Sequence, residues 1–396
     1  MFYTTICVYL LVVLSLSRLN ADESSGDAVF AVDLLSFGSS QYYISIDIGE
    51  SGQSFTLQVA LATNWLWIPN QNCACEGRNS IFVADSSSSY TGTQDKYTIS
   101  YAIGSIQGVR SYEKFFLNQA EMPNIAFLLC QNKEQLYHMA SDGVLGLGYP
   151  QDPENSQNFL VQMQQKGLIN EKIFGIYIPH NKNKDQTGKI HFGGYSEDIA
   201  SEGKTVIKAY TDKGLWTVKA NYIGFGNKYF SVKPNVHLDT GTNVIKGQKK
   251  VVNEIRKYLK TTQSCYYDNF FYCECTEESV LLFPKFSFDI DGVYMEIAPE
   301  NYLEFENGKC KVLIQSWEGE DWVFGVPFFK EFYSVFSVEN SEIYLYKQVG
   351  ESTFMSYSNE IFIICGIFFV LILQYRGVPG WKNNALNAGY QLLARS

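Results

Sequence analysis

The sequence predicts an all-β protein of two lobes with few short helices. Three observations carry this expectation. Period-two alternation recurs along most of the chain: YYISIDIG from Tyr42, FTLQVALATNWLWIP from Phe55, KYTISYAIGSIQGV from Lys96 and LWTVKANYIGFGNKYFSV from Leu215. Helical periodicity is clear only at 158–167 and 249–260. A chain of 396 residues, 46% hydrophobic and 15% aromatic, holds enough apolar surface for two medium cores. Mostly β chains of this kind form sandwiches or barrels rather than doubly wound sheets.

The elements follow in order. Residues 1–21 carry an apolar core, 6–16, followed by Ser17, Arg18 and Asn20, which predicts a secretory signal peptide. An acidic segment, 22–27, leads into 29–35, which can serve as an edge strand. No Lys/Arg-rich leader precedes it. A Gly-bearing turn at 50–53 separates the next two strands, and 126–129 and the Gly-punctuated SDGVLGLGYP from Ser141 continue the first lobe. The polar run HNKNKDQTGK from His180 marks the lobe junction, giving lobes at 28–182 and 183–349. Beyond it come strands, an Asp-Thr-Gly turn at Asp239, the helix near Lys249, strands through 283–298, and a closing apolar stretch at 322–338. A second apolar run, 361–373, covers roughly 20 Å as a helix, so a membrane span requires extension to 354–375. Glu351 and Glu360 precede it and Arg376 and Lys382 follow. That bias predicts a single-pass type I anchor, with a lumenal or extracellular body and a tail at 376–396 that carries no motif. A buried or surface-lying helix is the alternative.

The net charge of −10 and the lack of a Lys/Arg block exclude nucleic acid as a partner, because phosphate binding needs clustered positive charge. Seven cysteines lie between the two apolar runs: Cys73, Cys75, Cys130, Cys265, Cys273, Cys275 and Cys310. The number is odd, so one thiol is free or pairs with another chain. The two Cys-x-Cys pairs lack a companion His pair, which favours disulfides over zinc, and no cofactor or metal is expected. His138, His180, His191 and His237 show no ligand or triad spacing, and His237, on the strand before Asp239, is expected to be structural.

The chemistry centres on VHLDTGTNVIKG, residues 236–247, where a strand delivers Asp239 into a turn and Gly241 lets backbone amides come close to its carboxylate. Asp-Thr-Gly alone is an ordinary turn sequence. Its companions give it meaning. YYISIDIG, the hairpin SYAIGSIQG, SDGVLGLGYP, NFLVQMQQKGLINEKIFGIYIP, DTGTNVIKG and WVFGVPFFKEFYSVF stand in the order of the pepsin-like aspartic proteases, and the chain resembles that family over 30–348.

The resemblance implies a bilobal fold with a cleft between the lobes. In that family two carboxylates share one proton and activate a water, a case for which pepsin itself is the reference example. Asp239 matches the second-lobe carboxylate. Anchoring 55–56 and 66–69 without gaps puts Ala60 at the first-lobe Asp, Leu61 at the Thr that reaches across to the opposite loop, and Ala62 at the turn Gly. Asp47 lies a strand and a turn earlier and does not substitute. Tyr101 matches the flap tyrosine and Trp67 the tryptophan that supports it. Gly104, Gly143, Gly241 and Thr242 would give an extended peptide access to the backbone and carboxylate. Cys73 and Cys75 fall where the family has a small loop bridge, and Cys310 matches the distal partner of a second-lobe bridge whose other end is Cys273 or Cys275. The favoured reading is a pseudo-protease that binds a peptide or protein without cutting it. The alternatives are an active aspartic endopeptidase using Asp239 and another acid, and a structural surface protein with an empty cleft.

Overall fold

The computed structural model describes residues 30–38, 41–75, 80–102, 104–136, 139–152, 157–180, 187–200, 203–210 and 212–348. The expected signal peptide, anchor and tail lie outside them. Among the described residues no helix is long and apolar enough to cross a membrane.

Strands dominate, in sheets of 13, 8 and 4 strands. The largest sheet joins C-terminal strands to N-terminal ones: Phe332–Ser337 pairs with Ile173–Tyr177, which pairs with Gly188–Phe192, which pairs with Phe30–Phe37. Phe30–Phe37 is not the expected edge strand. It pairs with Gly188–Phe192 along its first half and with Gln41–Ile48 along its second, with Val32 and Leu34 buried. Its partner 188–192 lies more than 150 residues downstream, so local sequence could not reveal the pairing.

The 8-stranded sheet carries the second-lobe site strand Asn235–Leu238. The helix Lys249–Thr262 packs against two other strands of that sheet, Ile245–Gln248 and Ile314–Trp317, and buries Val251, Val252, Ile255 and Leu259 on one stripe. The expected helix at 158–167 forms over Phe159–Gln165, capped by the Asn158 side chain on the Leu160 amide. The stretch 322–338 is not continuous strand. Trp322–Phe324 is followed by a buried helix, Val326–Glu331, and then by Phe332–Ser337. An apolar run hides its periodicity, whereas Pro327 in the first turn suits a helix start.

The 4-stranded sheet is cross-linked by Cys265–Cys273, which are direct cross-strand neighbours, and by Cys275–Cys310. Cys275 is therefore the partner of Cys310. Cys73 pairs with Cys75, and Cys130 is free and buried.

Candidate active site

Two loops of matching construction face each other. In the first lobe, Gln53–Ala60 runs parallel to Gly143–Gly146, with Ala60 beside Gly146. In the second, Asn235–Leu238 runs parallel to Trp322–Phe324, with Leu238 beside Phe324 and Asp239 next in line beside Gly325. A Cβ on Gly146 would lie 2.6 Å from Thr63 O, and one on Gly325 would lie 2.0 Å from Thr242 O. Thr63 and Thr242 thus occupy corresponding places, and so do Ala60 and Asp239.

Asp239 sits half-buried with three hydrogen-bond donors. Its Oδ1 accepts from Gly241 N at 3.0 Å and, across the lobes, from Leu61 N at 3.0 Å, while Oδ2 accepts from Thr242 Oγ1 at 3.1 Å. An ionised carboxylate only accepts, so all three contacts suit it. Facing Asp239 from the first lobe are a methyl group, Ala60, and a backbone amide, Leu61 N. Gly241 has no left-handed φ. Its role is spatial: a Cβ there would lie 3.1 Å from Asp239 Oδ1 and 3.4 Å from Ala60 Cβ. The loop geometry therefore does not demand glycine at Ala62, which is exposed.

A hydroxyl ties the lobes across the site from the second lobe only. Thr240, fully buried, donates from Oγ1 to Val59 O at 2.7 Å. The reciprocal position holds Leu61, whose side chain has no hydroxyl and packs into the main apolar core.

Above the site, Thr91–Tyr101 and Gly104–Leu117 form the flap hairpin, closing with Tyr101 opposite Gly104. Trp67 Nε1 donates to Tyr101 Oη at 2.8 Å, and the tyrosine side chain also hydrogen-bonds Thr63. Burial pushes the Tyr101 phenol up to about 12, so it stays a neutral donor at ordinary pH. Gly104 is small because the neighbouring strand passes close: a Cβ would meet Glu134 O at 2.2 Å. Gly143, expected to give peptide access, is buried, and a Cβ there would meet Trp67 O at 2.1 Å. Its small size serves packing behind Trp67 instead.

Asp142 and Asp47 are committed elsewhere. Asp142 accepts from Thr56 N at 2.7 Å, Thr56 Oγ1 at 2.8 Å and Ser80 N at 2.6 Å. Thr56 lies four residues up the strand from Ala60, roughly 13 Å away at strand rise. Asp47 is held by Ser54 Oγ. His237 bridges Thr217 Oγ1 and Asp321, which is a structural role. Sequence reasoning missed a group beside the flap: Arg110 lies over the rings of Trp65 and Tyr97 and donates to Tyr97 Oη at 2.7 Å. The small Gly108 opposite Tyr97 could have hinted at it.

Two facing loops on matched strand pairs, a carboxylate between them and a tyrosine-tipped hairpin above define a protein built on the aspartic-protease plan. A sequence model of the family described as eukaryotic aspartyl protease matches residues 41–348, and the chain belongs to that family. Pepsin A of Canis lupus familiaris is 25% identical over 317 residues, covering 76% of this chain and 80% of the relative. Pepsin-3 of Oryctolagus cuniculus is 24% identical over 330 residues, covering 80% and 83%. Gastricsin of Mus musculus is 25% identical over 334 residues, with the same shares. The fold is the bilobal pepsin-like one.

Proposed function

We propose that this chain is a catalytically impaired aspartic protease that holds an extended peptide or protein segment in its cleft without hydrolysing it. The observation that carries this reading is the contact between Leu61 N and Asp239 Oδ1, with Ala60 where the second carboxylate would stand. Peptide hydrolysis by a dyad needs one carboxylate to take a proton from water and another carboxyl to donate to the carbonyl oxygen. Here the acceptor is present and the acid is absent among the described residues around it. Losing a general acid or base costs about two to four powers of ten in rate, and more when the pair acts as a unit. The parts that hold a peptide remain: the Trp67–Tyr101 pair, Gly241, Thr242 and the flap.

Three disulfides fit a secretory or cell-surface location, and the run at 354–375 is proposed as a single-pass anchor holding the body in the lumen or outside the cell. The lobes are proposed to divide at 182/183.

The test is hydrolysis of an unfolded protein substrate by the purified protein from acidic to neutral pH, with Asp239→Ala as control, alongside peptide binding read by tryptophan fluorescence. Binding without cleavage is expected. Cleavage that vanishes in Asp239→Ala would replace this reading with an active endopeptidase, and neither cleavage nor binding would leave a structural surface protein.

A further inference from the structure

Beneath the flap lies a group of three sulfurs that the cleft chemistry does not use. Cys73 and Cys75 are bonded to each other near the end of Trp67–Cys75, and Cys130 is a free thiol within Ala120–Glu134. These strands are parallel neighbours, with an irregularity between Pro69 and Ala74 that takes the cysteine segment out of regular register. The Cys130 Sγ is 3.9 Å from both Cys73 Sγ and Cys75 Sγ, and all three sulfurs lie within 4.8 Å of one another. All three residues pack in the small apolar cluster that also contains Ala60, Trp67 and Tyr101.

We propose that Cys73, Cys75 and Cys130 form an internal thiol–disulfide exchange site, in which the bond migrates from the local Cys73–Cys75 pair to a cross-strand pair containing Cys130. Cys130, as thiolate, attacks one sulfur of the Cys73–Cys75 bond. A new S–S bond forms to that sulfur, the old one breaks, and the electron pair leaves on the other cysteine, which takes up the proton Cys130 released. One disulfide and one thiol stand on each side, so no external oxidant or reductant is needed.

Chemistry and topology give the two isomers different properties. The Cys130 thiol donates to Asn132 O at 3.2 Å and is pushed up to about 11 by burial, partly offset by the nearby Lys133. Thiolate is therefore scarce, exchange is slow, and each isomer persists long enough to isolate. The local bond joins residues 2 apart and constrains the unfolded chain little, whereas a bond from Cys130 joins residues 57 or 55 apart. The cross-strand isomer pins Trp67–Cys75 to the strand that backs the flap, so it is harder to unfold and stiffens the support of Trp67 and Tyr101. The site is a built-in covalent latch for the flap side of the cleft, independent of whether the cleft cuts peptides.

The test uses the purified full chain, held folded in mildly alkaline buffer, quenched with acid, and blocked with a thiol reagent active at acidic pH before unfolding. Tryptic digestion without reduction then separates the two isomers. The expected result is a fraction of molecules in which the peptide ending at Arg78 is linked to the peptide ending at Lys133, growing with incubation time, with a thiol now blocked at Cys73 or Cys75. A second variant guards against slow exchange: Cys75→Ser, folded with oxidised glutathione, should join Cys73 to Cys130, lose its free thiol and melt higher than the same variant with Cys130→Ser. Recovery of Cys130 as a blocked thiol in every wild-type molecule, together with free thiols at both Cys73 and Cys130 in Cys75→Ser, overturns the proposal.

Discussion

Replacing Ala60 with Asp puts a second carboxylate against the first and tests the geometry of the cleft directly. The Ala60 Cβ lies 3.4 Å from where a Gly241 Cβ would stand, and that point is 3.1 Å from Asp239 Oδ1. An aspartate in place of Ala60 therefore sets a second carboxylate beside Asp239, and a separation of about 4 Å serves for the magnitude. Two charges at that separation repel by about 4 kcal/mol at the dielectric typical near a protein surface. Asp239 is half-buried, so water screening reduces this to about 2–4 kcal/mol. The repulsion raises the pair's apparent pKa in the fold while leaving the unfolded chain unchanged. Between the ordinary carboxylate pKa and that raised value the folded state binds more protons, so stability falls as pH rises through this window. Chemical denaturation of wild type, Ala60→Asp and the uncharged Ala60→Asn across pH should show Ala60→Asp matching Ala60→Asn in acid. Toward neutrality it should fall about 2–4 kcal/mol below it. Parallel curves for the two variants would mean that Ala60 does not face Asp239 and does not mark the place of a missing acid.

Three further outcomes follow from the structure. Thr240→Val removes the buried donor to Val59 O and should cost about 1–3 kcal/mol in denaturant unfolding, because the carbonyl is left unpaired. His191 is buried against the Tyr333 hydroxyl and its pKa is pushed down to about 4 by burial and Lys189, from an ordinary 6.5. The unfolded chain thus takes up a proton that the fold refuses, so stability falls as pH drops from about 6.5 to about 4, by about 2–3 kcal/mol, and His191→Asn should flatten that slope in a pH series of melting curves. Replacing both Cys275 and Cys310 with Ala opens a bridge spanning 35 residues and should lower unfolding free energy by about 4 kcal/mol, read by denaturant titration under non-reducing conditions.

Much of the site was legible because its signals are local. The loop at 60–62 could be delimited from its flanks alone, since Phe55-Thr56 and Leu66-Trp67-Ile68-Pro69 bracket it. The β alternation at 42–49 and 96–109 likewise gave strands, since each buries one face. What could not be read depends on partners far along the chain. Phe30–Phe37 looked like an edge because its partner 188–192 is distant. Cys310 had two candidate partners because Cys273 and Cys275 lie two residues apart on one strand and its continuation; Cys273 lies opposite both Cys265 and Cys310, and its bond to Cys265 leaves Cys275 for Cys310. The contact of Leu61 N with Asp239 joins positions 178 residues apart. Sequence could set Ala60 where the resemblance expects a carboxylate, but could not show a backbone amide reaching across to Asp239.

Leu61 fastens the active-site loop to the core. Its side chain is fully buried in the main core, so it contributes packing that a threonine would not. Leu61→Thr would open a cavity in that core before any hydroxyl found a partner, and large-to-small core changes commonly cost about 2 kcal/mol or more. Ala60→Asp alone would add like-charge repulsion without the cross-loop hydroxyl. Each single step toward a two-carboxylate loop is therefore downhill in stability. Leu61 works as a lock: the core holds the loop as it is, and only several coordinated substitutions would give it a second carboxylate.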